Sequence, residues 1–378
     1  MKVLTVAGTR PELIRLSRII GKLDKLCKHV FVHTGQNYDF GLNEVFFQQL
    51  GIRKPDHCLD ARGSFSEQIA TILTKMEKLL KKDRPDRFLV LGDTNSATAA
   101  IVAKRMAIPV YHMEAGNRCF DDRVPEEVNR RIVDACSDVF MPYTERSRQN
   151  LLQEGIDSDR ILVIGNPIYE VLEGAAASIK GSKVLSELKL TPKGYFLVTA
   201  HREENVDLQP RLRALVESLS RVNSKYRMPV VVSTHPRTHA RMQEFGVVAG
   251  GGDIRFMEPF GFFDFVALEQ NAFCVLSDSG TVQEECAIFH VPNVTLRDVT
   301  ERLETVETGS NILSGVDPDC VARCVEAAVG LPATWNTVPE YRVGDVSSAV
   351  VKIVLGHRGK QYLSDEAVAR VVQEKRRP

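Results

Sequence analysis

Lys2-Val3-Leu4-Thr5-Val6-Ala7-Gly8-Thr9-Arg10-Pro11-Glu12 is the stretch that decides the fold. A short, mostly apolar run of strand length meets a single glycine, and the residues after it open a helix. Thr9 and Glu12 have the spacing of a capping box, and Pro11 suits the first helical turn, where a missing N–H costs nothing. Working outward, the same alternation continues to about residue 330. Strand candidates follow at His29–His33, Arg87–Leu91, Pro109–Met113, Asp138–Met141 and Ile161–Ile164, with amphipathic stretches such as Ser64–Leu80 and Ser96–Met106 between them. Short apolar runs alternating with longer segments of helical period predict a parallel sheet with crossover helices. After the polar stretch 175–193 the pattern restarts, with strand candidates at Tyr195–Ala200, Pro229–Thr234, Asp253–Met257, Phe273–Leu276 and Pro292–Thr295. The expected fold class is α/β, with two Rossmann-like domains facing across a cleft. The expected boundaries are 1–170 and 171–358, with a charged helix at 364–375, inside 359–378, packing back on the first domain. Ligands of such sheets sit at the carboxyl ends of the strands.

At 378 residues the chain exceeds the size at which one core usually stops growing, which agrees with two domains. Lys plus Arg and Asp plus Glu each number 49, so no basic field exists to hold a nucleic acid or an anionic membrane. Any phosphate site must be local. No run approaches the apolar length of a membrane span, and the first residues lack the pattern of a signal peptide, so the expected location is cytoplasmic. The eight cysteines show no paired zinc spacing and read as reduced thiols.

The turn after the first strand contains only Gly8, so the GxGxxG fingerprint of a dinucleotide is missing and no cofactor is expected. Arg10 and Arg15 bring positive charge to a helix N-terminus, although capping alone explains Thr9 and Glu12. In the second half, Val275-Leu276-Ser277-Asp278-Ser279-Gly280-Thr281 is a strand ending in small hydroxyl and glycine residues. Outward N–H groups at Ser279, Gly280 and Thr281 would make a diphosphate site, with Glu285 one turn on to accept ribose hydroxyls. An ordinary N-cap needs only one of these residues. Carboxylates stand near successive strand ends at Asp93, Glu114 and Glu126. Glu126 and Arg130 are i and i+4 on one helix, a spacing shared by surface pairs, and Asp93 is also placed to cap the helix from Asn95. His201, Arg202 and His235 follow the first two strands of the second half, and two histidines at adjacent strand ends favour a site. No HxH or HExxH spacing points to a metal.

The segments GTRPE, LGDTN, MEAGNR, PEEVNRR, GNP, AHREEN, STHPR and LSDSGTVQEE, followed by TERLE, resemble in this order the non-hydrolysing UDP-N-acetylglucosamine 2-epimerase family over nearly the whole chain. The resemblance implies a GT-B-like architecture, a homodimer, and a UDP-sugar held in the interdomain cleft. It places Asp93, Glu114 and Glu126 among the catalytic carboxylates. Arg10, Arg130 and His201 fall beside the diphosphate and sugar, with His201 also counted as catalytic, and Ser279, Gly280 and Glu285 in the UDP segment. Arg15, Arg202, His235, Thr281 and Arg302 complete the candidate substrate set. Two departures are local: the family often carries Lys where this chain has Arg15, and its usual ERPE appears as Glu301-Arg302-Leu303-Glu304. The His33–Asp39 segment, the Asn117–Asp121 extension and the Pro259–Asp264 segment are similar to the branch that forms UDP-N-acetyl-L-fucosamine from the L-talose epimer for capsule or O-antigen synthesis. The UDP-GlcNAc branch more often has Leu-Arg-Thr after Glu-Ala-Gly.

The chemistry is constrained by the sugar. C2 bears an amide nitrogen, so its proton is not acidified by a carbonyl, and direct abstraction is implausible. Elimination of UDP with loss of the C2 proton gives a 2-acetamidoglycal, and readdition with protonation on the opposite face inverts C2. Competing expectations are UDP-GlcNAc to UDP-ManNAc epimerisation, a GT-B glycosyltransferase that would need an acceptor, and a UDP-sugar-binding regulator. The last is disfavoured because three carboxylates beside a diphosphate are costly unless chemistry uses them.

Overall fold

The computed structural model describes residues 1–35, 47–248 and 251–357. It divides into two units, one of Met1–Val171 with the segment from Val343 onward, the other of Leu172–Arg342. Each unit holds a six-stranded, all-parallel sheet. The first contains β1 (Lys2–Ala7), β2 (Lys28–His33), β3 (His57–Cys58), β4 (Arg87–Leu91), β5 (Val110–Met113) and β6 (Val139–Met141), in the order β3-β2-β1-β4-β5-β6. The second contains β7 (Phe196–Thr199), β8 (Val230–Ser233), β9 (Ile254–Met257), β10 (Cys274–Ser277), β11 (Asn293–Thr295) and β12 (Asn311–Leu313), in the order β12-β11-β10-β7-β8-β9. Read from its own first strand, the second sheet repeats the connectivity of the first. Strand order reverses between β1 and β4 in one unit and between β7 and β10 in the other. These switch points are where a doubly wound sheet presents diverging loops to a ligand.

Central strands buried on both faces need continuous apolar runs, which explains why Arg87–Leu91 and Cys274–Ser277 are buried throughout. The two faces of the first sheet are covered differently. Leu13, Leu16, Ile20 and Leu23 of helix Arg10–Leu26 pack with Phe31 and Leu89 on one side, while Ile72, Met76 and Leu80 of helix Phe65–Asp83 pack with Leu4, Val6 and Val90 on the other. Helix Val346–Gly356 belongs to the first of these cores through Val346, Val350, Val351 and Val354.

That placement corrects the expected boundary at 358. The chain rejoins the first unit at Val343, because four valines on one helix face find their apolar partners there. The other boundary, between Val171 and Leu172, falls within helix Ile168–Lys180 and not in a loop. Ile161–Ile164 makes only an isolated bridge between Phe140 and Ile161, whereas β3 and β12 are edge strands too short to announce themselves. The residues Gln36–Asp39 and the expected helix at 364–375 lie outside the described residues. Among the described residues no helix is long and apolar enough to cross a membrane, and no cluster of His, Cys, Asp and Glu is arranged to hold a metal.

Candidate functional site

At the β1–β4 switch point three loops approach closely. A Cβ on Gly8 would lie 2.0 Å from Ser96 Oγ and 2.1 Å from Thr34 Oγ1, which hydrogen-bond each other at 2.6 Å, so only glycine fits. The capping box predicted at Thr9 and Glu12 forms, and it extends further than the sequence spacing shows. Glu12 Oε2 accepts from Gly8 N (2.8 Å), Thr9 N (2.7 Å) and Thr9 Oγ1 (2.9 Å), and Oε1 accepts from Thr94 Oγ1 at 2.9 Å. One carboxylate thus ties the first turn to the loop carrying Asp93. Burial raises the Glu12 carboxyl to about 7, against the lowering effect of these four donors.

Asp93 and Glu114 stand at the ends of neighbouring strands β4 and β5, each held by a buried arginine. Arg130 Nε donates to Asp93 Oδ2 at 2.7 Å, and Arg15 Nη1 donates to Glu114 Oε2 at 2.9 Å. Asn117 Nδ2 donates to the other Glu114 oxygen at 3.2 Å, while Asn117 Oδ1 accepts from Ser147 Oγ at 2.7 Å, which sets the direction of the amide. Glu114 itself adopts φ +64°, a left-handed conformation costing about 1–3 kcal/mol for a residue with a side chain. Such strain persists where surrounding contacts over-determine it. Gly92 (φ +71°) and Gly116 (φ +78°) flank the two carboxylate positions. Both carboxylates accept charge-assisted hydrogen bonds from guanidinium groups.

Several expectations are redirected here. Arg130 is 2% exposed, and the carboxylate on its Nη1 is Glu127, at 2.7 Å; it lies three residues away, beside the Glu126 that the i, i+4 spacing had singled out. Arg130 thus donates to both Asp93 and Glu127. Burial would raise the Glu127 carboxyl, but the Cys119 N–H, Arg130 and the Phe120 N–H outweigh it and hold it below its ordinary range. The N-cap position of the following turn is Thr94, and Asp93 pairs with Arg130. Glu126 sits half-buried in the first turn of helix Pro125–Cys136, and Arg10 at the first position of helix Arg10–Leu26 is half-buried. Arg15 is buried, pairs with Glu114 and lies over the Tyr143 ring.

Sequence reasoning missed His112 and Asp134. His112 Nδ1 lies 2.8 Å from Asp134 Oδ1 and Nε2 lies 3.0 Å from Gly92 O, while Asp134 Oδ2 accepts from Gly116 N (3.1 Å) and pairs with Arg118 (2.8 Å). Burial would raise the Asp134 carboxyl, but His112 and Arg118 outweigh it and hold it below its ordinary range. The available signal was His112 two residues before Glu114, which reads as an ordinary strand residue until its partners are known.

In the second unit the switch point joins β7 and β10 through Asp278. Its buried carboxylate accepts from His201 N (3.1 and 3.0 Å), Arg202 N (3.0 Å) and Asn205 Nδ2 (3.1 Å). These bonds set the His201–Arg202 turn, with the His201 ring 38% exposed and 5.6 Å from the His235 ring. His235 is the N-cap of helix Pro236–Glu244, and its Nδ1 accepts from Arg237 N.

Helix Gly280–Phe289 has Ser279 as its N-cap, and Ser279 N donates to Ser277 Oγ at 3.0 Å. Gly280 is required by close approach: a Cβ there would lie 2.7 Å from Glu301 Oε1. Glu301 is bonded to Arg297 at 2.9 Å, lies 3.4 Å from Arg302 and 4.0 Å from Arg202. Arg302 is 4% exposed and donates to Glu284 at 2.6 Å, which braces this turn. Glu285 is 3% exposed and hydrogen-bonds to Glu269, whose carboxyl is pushed well above its ordinary range by burial and by the charge of Glu285. Glu285 thus meets a second carboxyl.

The sequence pattern of the UDP-N-acetylglucosamine 2-epimerase family matches residues 22–355. The UDP-N-acetylglucosamine 2-epimerase of Methanococcus maripaludis is 38% identical over 366 residues, covering 94% of this chain and 99% of that protein. The UDP-2,3-diacetamido-2,3-dideoxy-D-glucuronate 2-epimerase of Pseudomonas aeruginosa is 35% identical over 335 residues, covering 87% and 93%. The crystal structure of Methanocaldococcus jannaschii UDP-GlcNAc 2-epimerase in complex with UDP-GlcNAc and UDP superposes with a TM-score of 0.90 at 38% identity, covering 94% of this chain and all of that one. Acinetobacter baumannii MurG, at 12% identity and a TM-score of 0.54 over 94% of this chain and 99% of that one, shares the GT-B type of fold alone. With the family pattern running through both units, and relatives matched along nearly their full length, the chain belongs to the UDP-N-acetylglucosamine 2-epimerase family and is an isomerase of its non-hydrolysing kind.

Proposed function

We propose that the chain converts UDP-2-acetamido-2,6-dideoxy-L-talose to UDP-N-acetyl-L-fucosamine, by eliminating UDP and adding it back on a 2-acetamidoglycal, as a cytoplasmic homodimer supplying capsule or O-antigen synthesis. The observation that carries the elimination chemistry is the pair of arginine-held carboxylates Asp93 and Glu114 on adjacent strands. In the forward step the C1–O bond to UDP breaks with its electron pair leaving on the diphosphate, and an ionised carboxylate takes the C2 proton. In the return step a diphosphate oxygen attacks C1 while a proton is delivered to the other face of C2. Two groups able to exchange protons are needed, and Asp93, Glu114 and Glu126 are the set assigned to that role. The turn at Ser279–Thr281, with His201, Arg202, His235 and Arg10, is assigned to the departing diphosphate.

The finer assignment of the sugar rests on the Asn117–Asp121 segment, one of three by which the chain resembles the fucosamine branch, because the Asn117 amide touches Glu114 directly. A residue that bonds a proton-transfer group is placed to influence which epimer that group serves. Conversion of UDP-GlcNAc to UDP-ManNAc is the second reading, favoured by the names of relatives such as the Methanococcus maripaludis enzyme. Incubation with each UDP-sugar in deuterated water, without NAD or acceptor, separates them by NMR. Deuterium at C2 of an epimerised 6-deoxy-L-sugar supports the first reading, and exchange only with UDP-GlcNAc the second. The absence of exchange with every sugar would sink both.

A further inference from the structure

Two residues outside the expected catalytic set tie together the loops that carry Asp93 and Glu114. We propose that His112 and Asp134 form a buried clamp that sets the spacing of these two carboxylates, and so act as positioning residues for C2 inversion. The inference rests on Asp93 and Glu114 being the proton-transfer groups.

The clamp has one end on each loop. His112 Nε2 meets Gly92 O, the carbonyl immediately before Asp93, at 3.0 Å, and Asp134 Oδ2 accepts from Gly116 N, two residues after Glu114, at 3.1 Å. The two ends are joined by the 2.8 Å contact between His112 Nδ1 and Asp134 Oδ1, with side chains 1% and 4% exposed. The ring thus spans the gap between the Gly92 carbonyl and the Asp134 carboxylate. A third strut starts from the same carboxylate. Arg118 pairs with Asp134 at 2.8 Å and donates through Nη1 to Asn117 O at 2.8 Å, and Asn117 in turn donates to Glu114. Asp134 comes from helix Pro125–Cys136, which also supplies the Arg130 that holds Asp93. A single helix therefore indexes both carboxylates. The left-handed backbone of Glu114, with positive-φ glycines nearby at 92 and 116, is the kind of conformation that needs such bracing.

The clamp lies behind the carboxylates and is buried, so its loss should change geometry at the reacting atoms without removing a substrate contact. His112→Asn, His112→Gln, Asp134→Asn and the double variant His112→Asn/Asp134→Asn are compared with the wild type on whichever UDP-sugar the wild type epimerises. Each single variant is expected to lower kcat about 10- to 100-fold, the scale of a misplaced catalytic group. KM and the Kd for UDP should stay within about twofold of wild type, and the double variant should be no slower than the slower single variant, because both cut one unit. Retained kcat, kcat and KM rising or falling together, or losses that multiply in the double variant would overturn the clamp. Should the variants fail to fold, hydrogen exchange of the wild-type Gly116 amide decides: strong protection supports its bond to Asp134, and fast exchange overturns it. Glu114→Gln run alongside keeps the two levels apart, since turnover surviving that change strikes the carboxylate assignment and not the clamp alone.

Discussion

Replacing Glu12 with glutamine should flatten the pH dependence of stability in the first unit. The carboxyl titrates near 4.5 ordinarily and at about 7 in the folded chain, where burial is the main cause. Between those values the folded state holds a proton that the unfolded chain has released, so stability is fully present below pH 4.5 and falls as the pH rises towards 7. At about 1.4 kcal/mol per unit, the loss attributable to this one group reaches about 3 kcal/mol above pH 7, a sizeable share of a typical folding free energy. Glutamine does not ionise. One of its amide atoms can still accept from Gly8 and Thr9, and its NH₂ would meet Thr94 Oγ1, which can turn to accept. The variant therefore carries a cost of about 1 kcal/mol, typical of a weakened cap and independent of pH. The only tryptophan, Trp335, lies in the second unit, so fluorescence reports on the wrong half. Hydrogen exchange of the β1 amides between pH 5 and 8 reads opening of the first unit directly. If wild type and Glu12→Gln lose stability in parallel across that range, the assignment of a raised Glu12 carboxyl is refuted.

Two further outcomes follow from the buried charges and from the close approach at Gly280. Arg15→Met leaves Glu114 buried without its guanidinium and should destabilise the first unit by about 3–5 kcal/mol and cut kcat about 100-fold, while Arg15→Lys, which keeps the charge, should recover most of both. Denaturation monitored on β1 together with initial rates checks this, and equal behaviour of the two variants would contradict it. Gly280→Ala puts a methyl group 2.7 Å from Glu301 Oε1, where Arg297 holds the carboxylate in place, so the turn must shift at a cost of about 1–3 kcal/mol. Calorimetric titration with UDP should show weaker binding, and an unchanged Kd would remove this turn from the nucleotide site.

Much of the framework was legible in the residues themselves. β1 runs over the predicted Lys2–Ala7 and the capping box at Thr9 and Glu12 is present, because strand burial and helix capping are local or nearly local effects. Helix Phe65–Asp83 starts from Ser64 for the same reason. The chain order of short apolar strands and longer helices likewise announced two doubly wound units. What failed were inferences that needed a partner from elsewhere in the chain. The return of residues 343–357 to the first unit depends on four valines meeting a core formed more than 300 residues earlier. Helical spacing paired Arg130 with Glu126 but could not show its bond to Asp93, which arrives from a different strand.

The sequence by itself determined the α/β class, the repeated strand-to-helix turns, the family, and the residue types gathered at strand ends, since all of these are written in local pattern and motif order. Only the tertiary structure decided which charges meet. It buried Arg302 against Glu284 and Glu285 against Glu269, turned Ser279 N–H inward to Ser277, and joined His112 to Asp134 behind the Asp93 and Glu114 loops. The reason is physical: capping and burial pattern act over a few residues, whereas an ion pair or a buried hydrogen bond exists only when folding brings distant atoms within about 3 Å and removes the water between them.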